Sequence, residues 1–130
     1  MQNRLSAGRA PVVLVVDDDR DMRIFAATVL SSHGYVVRQA ADGVGAIEQL
    51  RDALPDLILL DLDMPVMDGR AFCAALGQLG DERLASVPVL VVSGATDPEL
   101  EAVGLGAAGA LQKPVDVRRL LAAVSRVLAA

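Results

Sequence analysis

The chain has 130 residues, of which 53% are hydrophobic and 2% aromatic, and it carries a formal charge of −5. That size suits one domain with an aliphatic core and excludes a disordered chain. The single cysteine excludes a disulfide framework within the chain, and the acidic balance argues against nonspecific nucleic-acid binding.

Residues 1–10 are polar and lack the apolar core of a signal peptide, so they are expected to form a flexible arm ahead of one domain spanning 11–130. No apolar run reaches the length of a membrane span, and a cytoplasmic location is expected. PVVLVV, residues 11–16, is a continuous β-branched run and predicts a strand buried on both faces. Met22, Phe25 and Val29 then recur at helical spacing, with Gly34 as a stop. YVVRQA is a more polar strand, and Asp42 precedes a helix carrying Ile47, Leu50 and Leu54 on one face.

DLILL, residues 56–60, is again wholly apolar. A turn at Pro65 leads to the helical GRAFCAALGQL, and VPVLVVSG is a fourth buried strand. Asp97 and Pro98 suit the cap and first position of the next helix. GALQ is a short fifth strand, and Val117, Leu120, Leu121, Val124 and Leu128 form the apolar stripe of a last helix. Strand and helix alternate five times, which implies a parallel sheet with helices on both faces and ligands beyond the carboxyl ends of the strands.

Those strand ends carry the chemistry. The first ends in Asp17, Asp18 and Asp19, and the third in Asp61. If the two strands are neighbours, Asp17, Asp18 and Asp61 share one hollow, where carboxylates about 5 Å apart repel by roughly 3 kcal/mol per pair at an effective dielectric near 20. A hard divalent cation such as Mg²⁺ would offset that repulsion, and a carboxylate is itself able to attack phosphorus. Ser93 ends the fourth strand with a hydroxyl, and Lys113 ends the fifth with a point charge suited to phosphate. This reading needs Asp61 to be reachable from solvent.

In their order and spacing, VVDDD, PDLILLDLDMPVMDG, VLVVSG and LQKPVD resemble the receiver domain of response regulators in two-component signalling, over about residues 11–129. The resemblance implies a flavodoxin-like α/β fold, a five-stranded parallel sheet in the order 2-1-3-4-5 with five helices. It implies that Asp61 is the phosphoacceptor and that Mg²⁺ is held by Asp18 directly, by Asp17 mainly through water, by a carboxylate oxygen of Asp61 and by the backbone carbonyl of Asp63. Ser93 takes the place of the switch hydroxyl, and Lys113 pairs with the phosphoryl group or, before modification, with Asp61. The Lys113–Pro114 bond is expected to be cis. The implied partner is a histidine kinase or a phosphotransfer protein, with an unknown target downstream. The implied chemistry is self-phosphorylation and self-dephosphorylation rather than conventional enzyme turnover. One departure stands out. Ala110 occupies the position, three residues before the lysine, where this family often has Tyr or Phe, so any signal is expected to leave through the loop after Ser93 and the helix that follows.

Other readings apply to parts of the pattern. Asp19, Asp42, Asp97 and Asp116 read as helix caps, and Asp68 as a loop or cap residue. His33 reads as a surface residue and Cys73 as a buried small hydrophobe. GLGAAG, residues 104–109, follows a helix and enters a strand, the reverse of a dinucleotide fingerprint. Arg118 and Arg119 read as a solvated helix face that would also serve a homodimer contact. The Asp61-x-Asp63 pair also resembles the nucleophile motif of haloacid-dehalogenase-like phosphatases, with Asp63 as general acid. A receiver fold that only docks a partner is the third reading.

Overall fold

The five apolar runs form five parallel strands, β1 (Val12–Val16), β2 (Val36–Ala40), β3 (Leu57–Asp61), β4 (Val89–Ser93) and β5 (Gly109–Gln112). They are read from a computed structural model that describes residues 9–64 and 69–130. The strand order is 2-1-3-4-5. The expected turn at Pro65 and the role of Asp68 lie outside the described residues, as does most of the expected arm.

The connections are α1 (Arg20–Ser32), α2 (Gly43–Asp52), α3 (Gly69–Gln78), α4 (Glu82–Ala85), α5 (Pro98–Leu105) and α6 (Val117–Ala129). There are thus six helices among the described residues where five were expected. The addition is α4, a single turn too short to leave an apolar repeat in the sequence. Asp81 caps it by accepting the Arg83 N–H at 2.9 Å, and buried Leu84 ties it to the core.

Side chains along a strand point alternately to opposite faces, and this divides the core in two. Leu14, Val16, Ile58, Leu60, Val91 and Ala110 pack beneath Ala46 and Leu50 of α2, Phe72 of α3 and Ala102 of α5. Val13, Val15, Leu57, Leu59, Leu90, Val92 and Leu111 pack against Ala26 and Leu30 of α1 and against Leu120, Ala123, Val124, Val127 and Leu128 of α6. Every residue of β3 is buried, whereas Val36 on edge strand β2 is exposed. Val117 departs from the expected stripe: it opens α6 and is also exposed.

The four expected capping acids all cap. Asp19, Asp42, Asp97 and Asp116 accept the N–H groups of Asp21, Gly45, Leu100 and Arg119 at 2.9, 2.7, 3.2 and 2.8 Å. Gly106 ends α5 in the left-handed region, at φ 70°, where a side chain would be strained. His33 is exposed, and Cys73 is half-buried against the first core rather than enclosed in it. Arg9 lies inside the expected arm yet is fastened: its guanidinium donates two bonds to buried Asp56 at 3.1 and 3.0 Å. The same carboxylate accepts the Val12 N–H at 2.7 Å, at the sheet edge opposite the strand tips discussed below. No described helix is long and apolar enough to cross a membrane.

Leu60 is fully buried at the centre of the sheet, and Leu100 is 69% exposed. Leu60→Ala is expected to lower the unfolding free energy by about 2–5 kcal/mol, and Leu100→Ala to change it by less than about 0.5 kcal/mol. Urea unfolding followed by circular dichroism measures both.

Candidate functional site

Parallel strands bring all their carboxyl ends to one edge, and the register decides which of them meet. β1 pairs directly with β3, Val16 opposite Leu60, so the residues that follow are neighbours. β4 flanks β3, with Asp61 opposite Val92, and β5 flanks β4, with Ser93 opposite Gln112. Carboxylate oxygens of Asp17, Asp18 and Asp61 consequently lie within 4.8 Å of one another. They line a solvent-open cavity of about 720 Å³ whose wall also includes Asp63, Lys113, Pro114 and, on the apolar side, Met22 and Phe25 of α1.

Asp17 and Asp61 are buried, and Asp18 is exposed. Asp61 is 3% exposed. Asp61 nonetheless lines the open cavity, where the Lys113 ammonium donates to Asp61 Oδ1 at 2.8 Å and to Asp63 Oδ2 at 3.4 Å. The Asp63 N–H also donates to Asp61 Oδ1, at 3.0 Å. Oδ1 thus carries two donors. The Lys113–Pro114 peptide bond is cis.

Asp17 is held through both its carboxylate and its carbonyl. Its Oδ1 accepts the Asp19 N–H at 2.9 Å, and its carbonyl accepts from the Arg23 guanidinium at 2.8 Å. Burial foremost pushes the Asp17 carboxyl up to about 7, with the negative charge of Asp61 adding to the rise. The Asp19 N–H and the Lys113 charge pull the other way and are outweighed. For Lys113, burial alone would depress the ammonium. The hydrogen bond and charge of Asp61, joined by Asp63, outweigh it and hold the group above the ordinary lysine value.

The donor set suits a hard cation. Six aspartates, Asp17, Asp18, Asp19, Asp21, Asp61 and Asp63, line the cavity with one lysine, and the three that cluster offer only oxygen ligands. The elevated Asp17 shows the alternative way to relieve the excess charge, which is to keep a proton.

Ser93 ends β4 beside Asp61's strand, but it does not line the cavity and its hydroxyl bonds elsewhere. It is 1% exposed, donates to Glu101 Oε1 of α5 at 2.8 Å and accepts the Ala95 N–H at 3.0 Å. Sequence reasoning gave Glu101 no role, and no periodicity marks it. The carboxylate of Asp63, expected to contribute through its backbone carbonyl, accepts the Gly94 N–H at 3.0 Å and so links the loop after β3 to the loop after β4. Ala110 lies in β5 at 7% exposure within the first core cluster.

The model of the response regulator receiver domain family matches residues 13–125. The transcriptional regulator RpaA of Synechocystis, named as DNA-binding, is 37% identical over 120 residues, covering 91% of this chain and 49% of its own length. The response regulator MprA of Mycobacterium ulcerans is 38% identical over 118 residues, covering 89% of this chain and 49% of its own. The chain thus spans about half the length of these curated relatives. Among solved structures, the chemotaxis protein CheY4 of Vibrio cholerae aligns with a TM-score of 0.83 and 36% identity, over 92% of this chain and 99% of that one. A putative response regulator from Chloroflexus aurantiacus aligns with a TM-score of 0.85 and 30% identity, over 94% of this chain and 100% of that one. The phosphatase reading of Asp61-x-Asp63 finds no support. The matched family is that of receivers, and the acids of β1, which that reading left without a role, share the hollow with Asp61.

The elevated Asp17 has a consequence for stability. A carboxyl whose folded pKa lies above its unfolded value binds its proton more tightly in the native state. Its contribution is fullest below about pH 4 and is lost as pH rises toward about 7, given a shift from 3.8 to about 7. Without divalent cations, Asp17→Asn is therefore expected to flatten part of the fall in urea midpoint between acidic and mildly alkaline buffer. An identical pH slope in wild type and variant would contradict the assignment.

Proposed function

We propose that this chain, which belongs to the response regulator receiver domain family, accepts a phosphoryl group on Asp61 from a phosphorylated histidine and converts it into a rearrangement of the loop after β4. The observation that carries this reading is the convergence of Asp17, Asp18 and Asp61 beside Lys113 at one open strand edge.

Asp61 is both oriented and partly spoken for. Lys113 and the Asp63 N–H engage Oδ1, which leaves Oδ2 as the attacking oxygen. The new bond joins that oxygen to phosphorus while the bond from phosphorus to the imidazole nitrogen breaks. The nitrogen keeps the electron pair and later takes a proton from solvent. Mg²⁺, held by Asp17, Asp18, Asp61 and the backbone carbonyl of Asp63, would neutralise charge building on the phosphoryl oxygens. Lys113 then has a phosphoryl oxygen available in place of the carboxylate it now pairs with, and Ser93 supplies a hydroxyl to the same group.

The donor partner is a histidine kinase or a histidine phosphotransfer protein, which places the chain in the cytoplasm. It is not a conventional enzyme, because its chemistry is confined to its own Asp61. DNA binding, named for the Synechocystis relative, belongs to a protein of which this chain spans about half. With a formal charge of −5, these residues are poorly suited to contact nucleic acid themselves. Alanine at 110 offers no ring to rotate inward, so the loop Gly94–Asp97 and α5 carry the signal.

A small acyl phosphate with Mg²⁺ is expected to label the chain stoichiometrically, as read by intact mass. Labelling should vanish in Asp61→Asn and drop sharply when EDTA removes the cation. Steady turnover of a phosphomonoester without a stable adduct would sink the reading.

Amide hydrogen exchange on the labelled chain is expected to change at Gly94–Asp97 and in the first turn of α5. Unaltered exchange across that segment in a fully labelled sample would exclude it as the route of the signal.

A further inference from the structure

We propose that Glu101 is a positioning residue that latches Ser93, holding its hydroxyl on α5 until a phosphoryl group on Asp61 claims the hydroxyl proton. The inference rests on the phosphoacceptor reading and adds to it a control residue on the neighbouring helix.

A serine hydroxyl has one proton to donate. In Ser93 that proton goes to Glu101 Oε1 at 2.8 Å, while the oxygen accepts the Ala95 N–H at 3.0 Å. A donation from Ser93 to a phosphoryl oxygen therefore requires the bond to Glu101 to break. The two residues are eight apart and sit on different elements, Ser93 closing β4 and Glu101 within the first turns of α5. Between them runs the loop Gly94–Asp97, held toward the site by the Gly94 N–H on Asp63 and toward β5 by the Gln112 amide on the Ala95 carbonyl at 2.9 Å. Breaking the latch releases a contact between α5 and the strand that bears the switch hydroxyl. The bond belongs to the unloaded state alone, so it opposes loading by its own strength, and its removal shifts the equilibrium toward the loaded state.

The test uses the phosphoryl analogue beryllofluoride with Mg²⁺, with affinity measured by titration and loop state by amide NMR. Hydroxyl–carboxylate bonds are among the stronger protein hydrogen bonds, so Glu101→Ala is expected to bind roughly tenfold more tightly than wild type. Its Ala95 amide resonance, before any ligand is added, should shift toward the bound position. Glu101→Gln keeps an uncharged acceptor and should fall between the two. In a Ser93→Ala background, Glu101→Ala should produce no further change, since the latch is already gone. Wild type that binds while Glu101→Ala binds equally or more weakly overturns the latch alone. So does the same gain with and without the Ser93 hydroxyl; if Glu101→Ala does not fold, Glu101→Gln decides, and binding no tighter than wild type, or an equal gain in the Ser93→Ala background, overturns the latch. Wild type that takes up no beryllofluoride overturns the phosphoacceptor reading and the latch with it.

Discussion

Like charge gathered at the tips of two adjacent strands is the constraint around which this molecule is arranged. Asp17 and Asp61 are buried side by side because β1 and β3 pair directly, and Asp18 joins them from the rim. At such spacings carboxylates repel by roughly 3 kcal/mol per pair at an effective dielectric near 20. Two devices visible in the structure offset the repulsion, the Lys113 ammonium on Asp61 and backbone N–H groups aimed at Asp17 and Asp61, and burial adds a third by raising the Asp17 carboxyl to about 7, which favours its protonated form. Each is incomplete. One lysine does not balance the six aspartates that line the cavity, and this residual charge suits the hollow to a cation.

Such an arrangement needs a rigid floor. The strands are short, but β1, β3, β4 and β5 bury side chains on both faces, and the alternation locks their register, since a slip of one residue would exchange the two cores. Asp61 follows four consecutive buried apolar residues in β3, so its Cα is fixed by packing on either side. The far edge of the sheet is closed by the Arg9 and Val12 contacts to Asp56, away from the carboxyl edge that carries the acids.

The loop after β4 stands apart because its contacts are polar. Asp63 holds Gly94, Gln112 holds Ala95, and Glu101 holds Ser93. Hydrogen bonds of this kind exchange partners at modest net cost, since each lost bond is largely offset by the one that replaces it. The aliphatic packing under Ala110 has no comparable freedom. A small residue at that position and a hydrogen-bonded loop beside it make a rim whose contacts are polar rather than aromatic.

Much of this was legible before any coordinates. Apolar runs of strand length, helical repeats and capping aspartates are local signals, and the elements and the four caps follow from them; the strand order, and with it the meeting of Asp17, Asp18 and Asp61, came from the resemblance to receiver domains. Other features depend on distances between residues far apart in the chain. α4 has one turn and no repeat to read. Val117 belongs to an apolar stripe but lies beyond the surface that buries the rest of it, and Cys73 stops halfway into the core. The bonds from Glu101 to Ser93 and from Asp63 to Gly94 leave no periodic trace. The sequence by itself determined which residues stand at the strand tips, because burial and alternation are set residue by residue. Only the tertiary structure decided where each polar side chain points and which carboxyl keeps its proton, because both depend on desolvation and through-space charge that local pattern does not encode.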